Sequence, residues 1–448
     1  MYVTPSPLQD PLPDPQTRPP NEPPTRKYPL LPTIFVVLVV VAVVFTGSLL
    51  LYPRFLPSTP LTPSSPLATP SADSLSRVSE AHDAFGFAAF KLLNQDSDEN
   101  VFISPTSIAF ALSMTLNGAQ GETKSAIAKT LFLDRLDLGE INASHALLLQ
   151  TLSNPDPKVT LSIANSIWTR EGMDFSPTFL QTTKDFYRAE VASLDFTAPQ
   201  SVKTVNDWVS KNTNGKIPTI IDSIPPEMVM YLLNAVYFNG TWTYEFDKKL
   251  TEDRDFTGAD GTSSQHPFMK QTKEFPYFEN DQFAGVLLPY GENQRLGMYV
   301  LLPKDDFNSF LEELTADNWK SWISNFTKRE GTLLLPKFKL EYETSLNDIL
   351  KNLGMKVAFD PTNADFTKML ARPIPENLFI SEVKHKTFID VKEEGTEAAA
   401  VTSVGIDATS VGPDNTFYLE VNRPFVLAIA DTKTGEILFL GAIRNPGN

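Results

Sequence analysis

The sequence predicts a single α+β domain over residues 77–448. Segments with helical spacing of apolar residues concentrate in the first half of this region, and segments typical of strands concentrate in the second half. The two kinds do not alternate strictly, which argues against a doubly wound α/β sheet. The chain has 448 residues, of which 42% are hydrophobic, so it is long enough to build one large core.

The early helices are predicted from their starts and from their apolar spacing. Ser104-Pro105 and Ser176-Pro177 each place a capping hydroxyl before a proline, which suits the first turn of a helix. Upstream, Ser79–Gln95 carries apolar residues at helical spacing. We therefore expect helices at all three places.

The strands are predicted from short apolar runs, some alternating with polar residues and some continuous. Five of these runs precede residue 392: Leu161–Trp168, Val229–Phe238, Ala284–Leu288, Met298–Leu302 and Phe379–Val391. Three more, FYLEV, PFVLAIAD and EILFLGAIR, lie near the end of the chain. The turn Thr432–Gly435 joins the last two as a hairpin.

The first 76 residues differ in composition from the rest. Residues 1–29 are proline-rich and predict a disordered cytoplasmic tail, and residues 53–76 are rich in Pro, Ser and Thr and predict a stalk. Between them, Leu30–Tyr52 has 23 residues without a charge, enough for one transmembrane helix. Arg26 and Lys27 precede it, so the positive-inside rule predicts a single-pass membrane protein with its domain outside the cytoplasm. Secretion after cleavage is the alternative.

Charge and composition exclude several classes of function. The formal net charge is −16, so we expect no nucleic-acid partner and no heparin-like cofactor. The chain has no cysteine and only four histidines, without a helical zinc pattern, so we expect no metal site and no other cofactor. It also lacks a G-x-S-x-G elbow, and no nucleophile–base pair indicates an enzyme. We expect a monomer.

The segment Gly395–Val411 is unusual for a loop. Its seventeen residues are small or weakly polar, and only Glu397 and Asp407 are charged. Read with a period of two, both charges fall on one face. The other face carries only small or apolar residues and threonines: Thr396, Ala398, Ala400, Thr402, Val404 and Ile406. The segment is therefore suited both to an exposed loop and to a strand that buries one face.

The residues EEGTEAAAVT in this region resemble the reactive-centre loop of the serpins. Segments that resemble the same family occur in family order along the chain, within residues 100–127, 205–217, 232–242, 334–355, 383–400 and 422–446. Together they span about Ala81 to Pro446. The resemblance implies the serpin fold, with three β-sheets, about nine helices and an exposed reactive-centre loop.

The resemblance also implies a function, the inhibition of serine proteases. In that mechanism a protease attacks the bait bond and forms an acyl-enzyme, and the freed loop then inserts into the main sheet. By the usual loop length the bait bond is Thr409–Ser410, and the small residues around it favour an elastase-like or subtilisin-like target. A non-inhibitory serpin acting as a binding, chaperone or surface protein is the alternative, which the small hinge residues disfavour.

Further roles are carried over by matched position. The resemblance assigns the hinge of the loop to Glu393, Glu394, Gly395, Thr396, Glu397, Ala398, Ala399 and Ala400. It assigns a polar cluster beneath the point where the sheet opens to Ser104, Ser107, Asn234 and His385. At the top of the sheet, where insertion begins, it places Trp242 and an ion pair between Glu393 and Lys337.

Overall fold

The computed structural model describes residues 70–95, 97–153, 155–375, 377–396 and 416–447. Several predictions lie outside these ranges: the tail, the membrane helix Leu30–Tyr52, the stalk before Pro70, the hinge residues Glu397–Ala400 and the bond Thr409–Ser410. Within the described ranges, none of the helices combines the length and the apolar character needed to cross a bilayer.

The described residues contain nine α-helices, which confirms the expected number of about nine. They are α1 (Ala72–Asn94), α2 (Pro105–Leu116), α3 (Gly121–Thr130), α4 (Leu138–Leu152), α5 (Pro177–Tyr187), α6 (Pro199–Asn212), α7 (Phe307–Glu313), α8 (Ala316–Ile323) and α9 (Asn347–Leu350). Helix α1 begins seven residues before the predicted start at Ser79. The reason is a cap, because Ser71 Oγ accepts a hydrogen bond from the backbone N–H of Ser74 at 3.0 Å.

Each predicted strand is present in the structure, which also contains several strands that were not predicted. They are β1 (Val101–Ile103), β2 (Val159–Arg170), β3 (Glu190–Leu194), β4 (Met230–Thr241), β5 (Glu252–Thr257), β6 (Ser263–Glu279), β7 (Phe283–Pro289), β8 (Leu296–Pro303), β9 (Thr327–Pro336), β10 (Phe338–Ser345), β11 (Glu382–Lys392), β12 (Gly395–Thr396), β13 (Phe417–Glu420), β14 (Phe425–Asp431) and β15 (Ile437–Ile443). Helices and strands thus share one α+β domain, as expected.

Within the described chain the strands form two hydrogen-bonded sheets rather than the expected three. The main sheet has the order β10-β11-β12-β4-β2-β3. The second sheet has the order β1-β15-β14-β8-β7-β6-β9-β13, with β5 paired to β6. Strand β6 is the reason for the lower count. It is 17 residues long and pairs with β5 and β9 over most of its length and with β7 at its end, which joins two sheets into one.

Helix α2 lies against the main sheet and has no solvent-exposed face. All twelve of its residues are buried. It packs on β2 and β4 of the main sheet and on β15 of the second sheet. A helix that is buried on every side belongs to the interior of the fold. Its first turn lies against the main sheet, because the Ser107 carbonyl accepts a hydrogen bond from the Asn234 side chain of β4 at 3.0 Å.

Candidate functional site

The two central strands of the main sheet pair directly along only part of their length. Strands β4 and β11 run parallel and pair from Tyr231–Glu382 to Val236–Thr387. Beyond that point the two-residue strand β12 lies between them. It is antiparallel to both, with Thr396 opposite Gly240 of β4 and Val391 of β11. We call the space between β4 and β11 the gap. The start of the loop therefore already occupies a strand position at one end of the gap.

We call this end of the gap the opening end, and buried aromatic side chains hold β12 there. The Tyr290 hydroxyl lies 2.5 Å from Thr396 Oγ1, and both side chains are fully buried. Trp242 stacks on Tyr290 with ring centroids 4.3 Å apart, and its Nε1–H donates to the Lys392 carbonyl at 2.9 Å. These contacts fix both β12 and the end of β11.

Two backbone features complete the fit of β12. Gly395 has φ +150°, and a Cβ at this position would lie 2.1 Å from the Gly240 carbonyl oxygen. Only glycine fits there, because a side chain would collide with the backbone of β4. The carbonyls of Glu393 and Glu394 accept hydrogen bonds from Phe246 N–H at 2.9 Å and Trp242 N–H at 3.0 Å.

The opening end also contains the expected ion pair between Glu393 and Lys337. The Glu393 side chain is only 5% exposed, and Lys337 Nζ lies 2.8 Å from its Oε2. The Thr251 hydroxyl donates to Oε1 at 2.8 Å. Burial alone would raise the pKa of Glu393, but the hydrogen bonds from Lys337 and Thr251 and the backbone contact outweigh it and lower the pKa. Glu394 forms a second ion pair with Lys248.

At the other end of the gap, which we call the closed end, a row of polar side chains crosses three strands. His385 of β11 is opposite Asn234 of β4, and Asn234 is opposite Asn165 of β2. His385 Nδ1 lies 2.6 Å from Asn234 Oδ1, and Asn234 Nδ2 donates to Asn165 Oδ1 at 2.6 Å. Asn234 Nδ2 also donates to the Ser107 carbonyl at 3.0 Å, and it contacts the Ser107 hydroxyl. The row therefore ties the central strands to α2.

The hydrogen bonds of His385 define which nitrogen carries its proton. The backbone N–H of Ser104 donates to Nε2 at 3.0 Å, so Nε2 carries no hydrogen. The ring hydrogen is therefore on Nδ1, which donates to Asn234 Oδ1. Burial lowers the pKa of His385 to about 3, so the ring is neutral at physiological pH. The closed end is thus an uncharged hydrogen-bonded network, whereas the opening end carries charge.

The structure brings most of the expected site residues together in these two groups. Ser107, Asn234 and His385 meet at the closed end, whereas Ser104 takes part through its backbone N–H. The sequence reasoning missed Asn165 and Tyr290. Asn165 could have been found from a correct register of β2 against β4, and no local signal marks Tyr290. No cluster of three or more metal-ligating side chains occurs in the part of the chain that the structure describes.

Comparison with protein families identifies the chain. The family model described as Serpin (serine protease inhibitor) matches residues 80–446. This chain belongs to the serpin family. The family description is that of an inhibitor and not of an enzyme, which agrees with the absence of an enzyme signature in the sequence.

Individual serpins resemble the chain over nearly their whole length. An uncharacterized serpin-like protein of Thermococcus kodakarensis is 35% identical over 373 residues, which are 82% of this chain and 86% of the relative. The leukocyte elastase inhibitor of Equus caballus is 34% identical over 387 residues, which are 83% of this chain and 100% of the relative.

Among solved structures, the thermophilic serpin tengpin is similar in two states. Its native state matches with a TM-score of 0.77 and 36% identity, over 86% of this chain and 97% of tengpin. Its latent state matches with a TM-score of 0.71 and 35% identity, over 82% and 98%. The native state of tengpin therefore matches this chain better than the latent state does. In the described residues of this chain, Gly395 and Thr396 are the only loop residues paired in the main sheet.

The predicted location, an extracytoplasmic domain on a single membrane helix or secreted after cleavage, is wrong. The match to serpin B8 of Homo sapiens covers 99% of that protein but only 82% of this chain. The match to the horse inhibitor covers 100% of that protein and 83% of this chain. These relatives have no counterpart of the N-terminal segment on which the prediction depended. The predicted membrane helix, Leu30–Tyr52, itself lies outside the described residues.

Proposed function

We propose that this serpin inhibits serine endopeptidases by inserting its cleaved loop between β4 and β11. The observation that carries the proposal is the position of β12, which already lies between these strands in antiparallel register with both. Insertion would extend a strand that has begun, and it would start from the end where Thr396 is buried.

The register of β12 supports this proposal when it is continued along the loop. When the pairing of Thr396 is continued one residue at a time, residue 402 falls opposite both Asn234 and His385. Residue 406 then falls opposite Met230, the first residue of β4. Residues 396–406 therefore match the remaining length of β4. At ~3.3 Å per residue they form a strand of roughly 36 Å.

The alternation of the loop agrees with the same register. Residues at even positions share the face of Thr396, which is buried against Tyr290. Thr402 has a hydroxyl and would point toward the polar row, where insertion separates His385 from Asn234. Its hydroxyl can bond to the groups that this separation frees, and that lowers the cost of parting them. The charges of Glu397 and Asp407 would lie on the opposite face of the inserted strand, away from the polar row.

We further propose an elastase-like or subtilisin-like target and a bait bond at Thr409–Ser410. Between Ser403 and Thr416 the sequence has no Lys, Arg, aromatic residue, Leu or Met. A protease pocket that requires a cation or a large side chain therefore has no residue to bind. The name of the horse relative, leukocyte elastase inhibitor, agrees with this class of target.

The proposal is tested by mixing the protein with an elastase-type and a subtilisin-type protease and running the products on a denaturing gel. We expect a covalent complex with at least one of them, and mass spectrometry of the released fragment should place the cut at residue 409. Trypsin should form no complex. If both proteases cut the loop and neither forms a complex, inhibition of these classes is refuted and the non-inhibitory alternative is supported.

A further inference from the structure

A pocket lies in the second sheet at the place where β6 and β7 stop pairing. The two strands pair from Glu279–Ala284 to Tyr277–Val286. Beyond Tyr277–Val286 both strands continue, but they do not pair with each other. The space that opens between them has a volume of about 440 Å³, and we call it the fork pocket. The insertion mechanism does not use it.

The walls of the fork pocket are largely apolar. Phe275 comes from β6, and Leu287 and Pro289 come from β7. Tyr244 closes the third side, where Gln271 Nε2 of β6 donates to its backbone carbonyl at 3.2 Å. The Tyr244 side chain is 45% exposed, so much of its ring is open to a ligand. A pocket of this volume with aromatic and aliphatic walls is typical of a small-molecule site.

A lysine of the fork pocket has no carboxylate partner in the described part of the chain. Lys273 is partly buried and shares one face of β6 with the buried Phe275. Its Nζ lies over the ring of Tyr244, 4.8 Å from the centroid. The neighbouring Glu274 is paired instead with Lys328, at 3.2 Å. The pocket therefore favours an anion, although the chain as a whole has a net charge of −16.

These features together define the chemistry of a ligand. A flat apolar body suits the space between Phe275 and Leu287, and an aromatic one can stack on Tyr244. One lysine balances a single negative charge, which favours a carboxylate over the more highly charged phosphate group. We propose that the fork pocket binds a small aromatic carboxylate, with Tyr244 as its stacking wall and Lys273 as its charge partner.

Two walls of the fork pocket continue into the opening end. Tyr244 follows two residues after Trp242, and Pro289 directly precedes Tyr290. The Thr243 N–H donates to the Pro289 carbonyl at 2.9 Å, which joins these two walls. Trp242 and Tyr290 are the stacked rings of the opening end. A bound ligand that contacts both walls should therefore slow local opening of this region.

The first experiment uses two probes that differ in charge. Naphthoate and naphthamide share one aromatic body, and only naphthoate carries a carboxylate. Each is titrated into the full-length protein and followed by ligand-observed NMR. Naphthoate should bind with a dissociation constant of about 1 mM or below, as expected for a ligand of its size. The amide should bind more weakly. Naphthoate that binds no better than the amide, or that does not saturate in the millimolar range, would overturn the proposal.

Substitutions of Lys273 test whether the binding occurs in the fork pocket. Lys273→Met should weaken naphthoate binding by about tenfold, the effect of one charged hydrogen bond. Lys273→Glu should reverse the preference, so that naphthylmethylammonium binds to the variant and naphthoate does not. Lys270→Met is the matched control, because residue 270 lies on the same strand but on its other face. Equal naphthoate affinity in the wild type and Lys273→Met, or an equal loss in Lys270→Met, would refute the assignment.

Hydrogen exchange locates the ligand without any substitution. Saturating naphthoate should slow exchange of the Thr243 N–H and of the Tyr290 N–H, which donates to the Leu296 carbonyl at 2.8 Å. Amides around His385 at the closed end should exchange as before. Protection confined to other parts of the chain would contradict the proposal. No protease enters these measurements, so their outcome is independent of the proposed inhibition.

Discussion

The two ends of the gap between β4 and β11 are built from different chemistry. The opening end holds Thr396 with aromatic side chains and the Glu393–Lys337 ion pair. The closed end joins His385, Asn234 and Asn165 by neutral, fully buried hydrogen bonds. An ion pair with a partly exposed lysine can exchange its partner for water, whereas a buried neutral network must find new partners within the protein. We therefore expect the proposed insertion to run from the opening end toward the closed end.

The largest expected effect comes from a charge on the buried face at the opening end. Thr396→Arg places a cation at a position that is fully buried in the structure, which costs several kcal/mol. Insertion should then be slower than deacylation. We expect the target protease to cut the loop of this variant without forming a covalent complex.

Glu397→Arg is the matched control for that substitution. It introduces the same side chain one residue later, on the face that the alternation assigns to solvent. It should form the covalent complex like the wild type. If both variants lose the complex to the same extent, the loop does not insert in the register proposed here.

The next effect tests the ion pair of the opening end. Lys337→Met leaves the carboxylate of Glu393 buried with Thr251 as its remaining side-chain donor. We expect a loss of about 2 kcal/mol in unfolding free energy, less than for a fully buried pair because Lys337 is partly exposed. Lys328→Met, which breaks an exposed pair with Glu274, should cost below about 0.5 kcal/mol. Denaturant titration measures both, and equal losses would contradict this description of the opening end.

The closed end should respond to pH instead. His385 is neutral in the fold, with a pKa of about 3, and the unfolded chain binds a proton near the ordinary histidine pKa of about 6.5. Stability from this residue is therefore complete above about pH 6.5 and is lost as pH falls toward 3. At pH 5 the loss is roughly 2 kcal/mol. His385→Gln should reduce the slope of stability between pH 7 and pH 5, and an unchanged slope would exclude His385 as its source.

The smallest effect connects the loop to the closed end. Thr402→Val keeps the shape of the side chain and removes the hydroxyl that the register directs toward Asn234 and His385. We expect the cleaved, inserted form to lose about 1 kcal/mol, the value of one buried hydrogen bond. The intact form should be unaffected. Ser403→Ala, which removes a hydroxyl from the opposite face of the inserted strand, is the control. Thermal melting of cleaved and intact protein distinguishes the four cases.

Local patterns in the sequence predicted the parts of this site that lie within single elements. Helix α2 and strands β4 and β11 are long and apolar, and His385 is conspicuous in an apolar run. Strand β6 was missed because its polar and apolar residues follow no simple period. Helix α1 was predicted too short because its cap, Ser71, lies in a Pro/Ser-rich stretch.

Contacts between distant residues could not be predicted from pattern. Asn165 and Asn234 are 69 residues apart, and Tyr290 reaches Thr396 across 106 residues. A pattern fixes which face of a strand is buried, but it does not fix the partner strand or the register. The resemblance to serpins supplied Asn234 and His385 in advance, whereas Asn165 and Tyr290 required the fold.

The central claim is that the loop inserts between β4 and β11, and a crystal structure of the cleaved protein tests it most directly. We predict residues 396–406 as a full strand between them, with Thr402 beside Asn234 and His385 and strand spacings of about 4.8 Å on each side. A cleaved protein in which His385 still bonds to Asn234 and β11 still pairs directly with β4 would contradict the claim.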